Sequence, residues 1–160
     1  MKYVGILFVL FAAIIVSRDY SSYMQKRSAE CKDFLAFIAH MRIQVGCFLR
    51  PVKKLGEGFS SPALEKSGFL DSLSESERIL DAYKNCEANL SLSAEEKNLL
   101  TDFFSSFGEG YLDEGVKLIE SSYSGMERLY QRLCEEKAKN TKLVTSLSVT
   151  LALGIIIFMI

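Results

Sequence analysis

Uncharged apolar sequence closes this chain at both ends: residues 3–17 and 143–160 carry no charge, and apart from Lys2 every charged side chain lies between them. A bilayer core about 30 Å thick takes about 20 apolar helical residues to cross and about 17 at the least. Both segments sit at the short end of that range. The expected organisation is therefore an N-terminal membrane anchor at residues 1–17, one domain at 18–142 and a C-terminal anchor at 143–160. Such a layout ties both ends of the domain to one face of a membrane.

A basic residue followed by an apolar run also describes a secretory leader, but Ile14, Ile15 and Val16 follow Ala12-Ala13, so no small-x-small triplet stands at the polar boundary. An exported, C-terminally anchored sensor or sheath protein with a cleaved leader is the alternative reading. Orientation follows the basic residues beside the membrane. Arg18, Lys26 and Arg27 follow the first segment, and Lys137, Lys139 and Lys142 precede the second, against Lys2 outside. The domain is thus expected to face the cytoplasm.

The net charge of −1 conceals a segregation. Residues 18–54 hold eight basic and three acidic side chains, residues 55–136 seven basic and seventeen acidic, and residues 137–142 three lysines. Lysines beside a bilayer are drawn to anionic head groups, so membrane lipids are expected partners. The acidic part is either a solvated surface or a dock for a basic partner, with Glu75, Glu77, Asp81, Glu95 and Glu96 as candidate docking residues. No nucleic-acid partner and no small-molecule substrate is indicated.

Catalytic material is sparse. Cys31, Cys47, Cys86 and Cys134 are far apart and form no Cys-x-x-Cys pair for zinc or thiol exchange. His40 is the single histidine, and it lies among Phe37, Ile38, Met41 and Val45, where a core-edge role is expected. A nucleophilic pair of Cys47 or Cys31 with His40 is the remaining enzymatic reading. The sequence has no Gly-x-x-x-x-Gly-Lys-Ser/Thr phosphate loop, so nucleotide hydrolysis falls to a partner. The expectation is a protein without catalytic residues, cofactor or metal.

Apolar residues recur with a helical period throughout the domain. Phe34, Ile38, Met41, Val45 and Phe48 mark a first amphipathic helix ending near Arg50, before Pro51. A short helix from Pro51 carries Val52 and Leu55 and stops at Gly56 and Gly58. Ser61 and Pro62 are the N-cap and first position of another helix, which Gly68 interrupts. Ser74 with Glu77 and Ser93 with Glu96 have capping-box spacing. The stripes behind them are Ile79, Tyr83, Cys86, Leu90 and then Leu99, Leu100, Phe103, Phe104, Phe107. The last helix alternates spacings of four and three through Leu112, Val116, Ile119, Tyr123, Met126, Tyr130 and Leu133, a pattern suited to packing along a neighbour. The predicted fold is an all-α, membrane-anchored antiparallel bundle of about six helices with an apolar helix at each terminus. In the second anchor Ser146, Thr150 and Gly154 share a face that suits close helix contact, or else simply tolerates hydroxyls bonded to preceding carbonyls.

These features together resemble stage III sporulation protein AB of endospore-forming bacteria. The resemblance is carried by the N-terminal anchor, Gln44-Val45 followed by Pro51-Val52, the turn Phe107-Gly108-Glu109-Gly110 with Asp113 after it, and the terminal helix running into an apolar tail. The family commonly has Glu where Gln44 stands and often Gln where Gly115 stands. The resemblance implies a fold like the cytoplasmic domain of the inner-membrane platform protein of type II secretion machines. It further implies a structural adaptor in the mother-cell membrane around the forespore, part of a channel complex, which couples a cytosolic secretion-type ATPase to membrane channel proteins.

Overall fold

The computed structural model describes residues 2–43, 52–107 and 112–159. They form α1 (Lys2–Ile43), α2 (Pro62–Ser67), α3 (Phe69–Glu75), α4 (Ile79–Cys86), α5 (Ala94–Ser106) and α6 (Leu112–Met159), with 3-10 turns at Val52–Lys54 and Glu87–Asn89. No strand occurs among the described residues, so the all-α expectation and the helix number hold. The chain divides into two compact units, Lys26–Gln131 and the pair of segments Met1–Gln25 with Arg132–Ile160.

Each apolar end continues a long helix: α1 runs unbroken for 42 residues and α6 for 48. Among the described residues, however, no helix is long and apolar enough to cross a membrane. The spanning helix expected at each terminus is therefore not found among the described residues.

In the larger unit the core is aromatic. Phe34 on α1 meets Phe69 at 5.3 Å, Tyr83 at 6.0 Å and Phe104 at 6.4 Å between ring centroids, so one residue touches α3, α4 and α5. Phe69 stacks on Phe104 at 5.9 Å, and Phe37 meets Phe69 edge-on at 5.3 Å. All five rings are fully buried. Such side chains each contribute about 1.5–3 kcal/mol through removal of apolar surface from water, with edge-on geometry adding to it. The stripe through Phe34, Ile38 and Met41 is buried as its spacing requires, whereas Val45 and Phe48 lie outside the described residues.

Local signals fix the starts of α2, α3 and α5. Ser61 adopts extended geometry before Pro62 and its Oγ accepts from the Leu64 N–H; Ser93 and Glu96 complete a reciprocal capping box at α5. Gly68, at φ 79°, ends α2 and starts α3, a left-handed conformation that favours glycine. In place of a helix from Pro51 there is the short 3-10 turn, with Leu55 buried behind it and Gly58 at φ 78°.

The Ser74–Glu77 box does not form. Ser74 lies inside α3 and its Oγ donates to the Asp71 carbonyl at 2.7 Å, a local bond that competes with capping. The chain then extends at Ser76, and α4 begins at Ile79 behind Arg78, which makes no side-chain cap. The stripe through Ile79, Tyr83, Cys86 and Leu90 is nevertheless buried.

Along α6 the buried line is Ile119, Ser122, Met126, Leu129 and Leu133. Ile119, Met126 and Leu133 were expected there, but Tyr123 and Tyr130 are half-buried and Val116 is 52% exposed. Both lines share every seventh residue and differ at the positions between. Tyr123 and Tyr130 stay half-buried while smaller or apolar Ser122 and Leu129 turn inward. At Gly125, α6 approaches α5 so closely that an added Cβ would stand 2.8 Å from Leu99 Cδ1. The last turn of α1 meets the early turns of α6 at Arg42, as an antiparallel pair requires: its Nη2 lies 3.4 Å from Glu120 and its guanidinium 5.7 Å from the Tyr123 ring.

Candidate functional site

Three charged residues on α1, Arg27, Glu30 and Asp33, come at intervals of three and so project from the same side of the helix. Each holds the beginning of another segment. The Arg27 guanidinium donates to Glu96 through Nε at 3.0 Å and Nη2 at 2.9 Å, next to the start of α5. Glu30 accepts the Ser91 N–H at 2.6 Å, and the Asp33 carboxylate accepts from Ser61 Oγ at 2.5 Å and from the Ala63 N–H at 3.1 Å. Asp33 therefore places negative charge at the start of α2, where exposed N–H groups favour it. Sequence reasoning missed this polar ladder. The available signal was its regular spacing beside the buried stripe of α1.

Burial raises the Glu30 carboxyl above its ordinary 4.5, with the Ser91 N–H and the charges of Lys26 and Lys97 opposing the rise. A cleft of about 240 Å³ opens beside it, with Lys26 and Lys66 among its lining. Burial likewise raises the Tyr83 hydroxyl, and it pushes the Cys86 thiol to about 11, which keeps that thiol protonated and unreactive at neutral pH.

The ladder redraws the acidic face. Glu96 is only 1% exposed; its carboxylate is taken by Arg27 and by the Ser93 N–H at 2.7 Å. It cannot meet a partner at the surface. Glu75, Glu77, Asp81 and Glu95 are exposed. Asp81 and Glu95 occupy the first turns of α4 and α5, where the helix dipole favours a carboxylate. Glu75 ends α3 and Glu77 lies in the link beyond it, so no helix start accounts for their charge. These two carry the surplus.

In the second apolar segment Ser146, Thr150 and Gly154 are all exposed, and Thr150 Oγ1 donates to the Ser146 carbonyl at 2.9 Å. That is the hydroxyl-on-carbonyl arrangement, and a Cβ on Gly154 would meet nothing within 4 Å. Of the turn motif, Phe107 packs on Phe103 at 5.9 Å, Gly108 and Gly110 lie outside the described residues, and Asp113 falls in the first turn of α6 with its side chain outside the described set.

His40 packs against an aromatic ring of the core. It is half-buried with its ring 5.4 Å from Phe59, a core-edge position. Cys31 lies nine positions earlier on α1, which at about 100° per residue points it to the opposite side. Cys47 lies outside the described residues. Among the described residues no group of three or more His, Cys, Asp or Glu side chains could hold a metal ion.

The family model for stage III sporulation protein AB matches residues 2–160, and the chain belongs to that family. No curated protein and no solved structure matches it significantly.

Proposed function

From membership of the stage III sporulation protein AB family, we propose that the protein is a non-enzymatic membrane adaptor of the mother cell–forespore channel complex, holding a cytosolic secretion-type ATPase against membrane channel proteins. The observation that supports it best is the exposure of the apolar ends. Phe11, Ile14, Val16, Leu143, Leu147, Leu153 and Ile157 all stand exposed on long helices, without protein to cover them. Contiguous exposed apolar surface of this kind marks contact with a membrane or another protein. In this reading the two ends anchor the chain in the mother-cell membrane, partly embedded or spanning, and the helical domain lies in the cytoplasm.

Docking of the motor falls to Glu75, Glu77, Asp81 and Glu95, facing a basic surface of the ATPase. Changing all four to Lys is expected to weaken capture of the ATPase in pull-downs at low salt, with the difference shrinking at high salt as exposed charges are screened. Equal capture by wild type and variant at both salts removes the docking assignment. Topology is tested with single reporter cysteines at the exposed positions Lys54 and Asn89 in a background without the native four. Labelling in intact cells by an impermeant reagent would overturn the cytoplasmic placement.

A further inference from the structure

The smaller unit combines two features at the same point of each of its segments. In the segment from α1, exposed apolar side chains (Phe11, Ile14, Ile15, Val16) give way to Arg18. In the segment from α6, Lys137, Lys139 and Lys142 give way to exposed Leu143, Leu147 and Val149. Arg18 precedes buried Met24 by six positions, and Lys139 comes six after buried Leu133. Each cation thus stands about 9 Å along its helix from a residue packed inside the unit.

Arg18, Lys139 and Lys142 are exposed and Lys137 is half-buried, and among the described residues none of the four forms an ion pair with a carboxylate. Glu135 and Glu136 lie within reach in sequence, yet the ion pairs that exist are elsewhere. Asp19 follows Arg18, and these four cations, unpaired among the described residues and placed where apolar exposure begins, are open to anions from outside the chain. Tyr20 and Tyr23 lie just beyond Arg18, and Tyr23 is exposed, an amphipathic ring suited to the head-group level.

We propose that Arg18, Lys137, Lys139 and Lys142 form a collar that binds the phosphate groups of anionic phospholipids. The proposal rests on the membrane placement of the apolar ends and adds lipid selectivity to it. Long cationic side chains reach to the interface while their stems stay on apolar surface. Attraction of this kind weakens as salt rises.

The test uses the full chain reconstituted in phospholipid vesicles, with spin-labelled phosphatidylglycerol and phosphatidylcholine as probes of the lipid in contact with protein. Wild type is expected to associate with the anionic probe about twofold or more over the neutral one at low salt, and less so at high salt. The variant Arg18→Gln/Lys137→Gln/Lys139→Gln/Lys142→Gln should retain its helix content and its immobilised lipid, and lose the preference. Lys53→Gln/Lys54→Gln, outside both terminal segments, should keep it. Equal association of the two probes with wild type overturns the collar, as does a preference that survives in the quadruple variant. Absence of any immobilised lipid removes the membrane reading, and the collar with it.

Discussion

Arg27 on α1 and Glu96 on α5 form a two-point pair across 69 positions of sequence, in which Nε faces Oε2 at 3.0 Å and Nη2 faces Oε1 at 2.9 Å. The Glu96 carboxylate also accepts the Ser93 N–H, so the cap that starts α5 and the contact that docks α5 on α1 share one side chain. A helix start chosen locally is thereby tied to α1, whose aromatic side chains centre the larger unit's core.

Removing Arg27 is expected to be costly because its partner is buried. Arg27→Met leaves a carboxylate at 1% exposure with little compensation, and about 3–5 kcal/mol of stability should be lost. Arg42→Met breaks an ion pair whose side chains are both about half exposed at 3.4 Å, and about 0–1 kcal/mol is expected. Denaturant unfolding of the full chain in detergent ranks the two. A loss for Arg27→Met no larger than that for Arg42→Met contradicts the buried-pair assignment.

Glu30 sets a pH dependence of definite sign. Its folded-state pKa is raised above 4.5, so the folded chain holds the proton more tightly than the unfolded chain does. Stability must therefore fall as pH rises from the ordinary carboxyl range through the raised value, and the contribution is favourable below that window. Glu30→Gln keeps an acceptor for the Ser91 N–H and removes the titration. The wild-type minus variant stability difference should decline with rising pH above about 4.5; a difference that is flat or climbs with pH speaks against burial as the cause.

What the sequence made legible was local. Ser61 with Pro62, Ser93 with Glu96, and Gly68 each act through bonds or dihedrals within four residues, and each was read correctly. Ser74 with Glu77 shows the limit, since the same spacing has no effect once Ser74 bonds back to Asp71 and the chain extends at Ser76. Partners at a distance were not legible. Glu96 reads as a surface acid until Arg27 arrives from α1, and Asp33 and Glu30 read as solvated charges until α2 and the segment before α5 fold against them. In α6 the period showed a packed face, but only tertiary packing decided that Ser122 and Leu129 would turn inward in place of Tyr123 and Tyr130.

Gly125 separates helix propensity from packing. Alanine in a helix interior is favoured over glycine by about 1 kcal/mol, yet its Cβ would stand 2.8 Å from the tip of Leu99, a side chain able to rotate away. Gly125→Ala should therefore lie within about 1 kcal/mol of wild type, the two effects opposing. Gly125→Leu forces the helices apart and should cost about 1–3 kcal/mol. Thermal unfolding of both variants tests the close approach of α5 and α6, and a neutral Gly125→Leu would show that these helices are not held together there.

Gly68 isolates backbone strain from packing altogether. It takes φ 79°, and a Cβ built on it meets no atom within 4 Å, so any cost of substitution comes from the left-handed conformation and not from a clash. Gly68 also carries two helix ends at once, because its N–H donates to the carbonyl of Glu65 while its own carbonyl accepts from Ser72. The conformation cannot relax without loosening both. Gly68→Ala is expected to cost about 1–2 kcal/mol. Gly68→Asn should cost less, since an asparagine side chain bonds locally and visits this region more readily. Equilibrium unfolding should therefore rank glycine above asparagine above alanine. An alanine variant as stable as wild type would mean that the α2–α3 corner can be made with φ negative, and that the junction is held by the burial of Leu64 and Phe69 on either side of it.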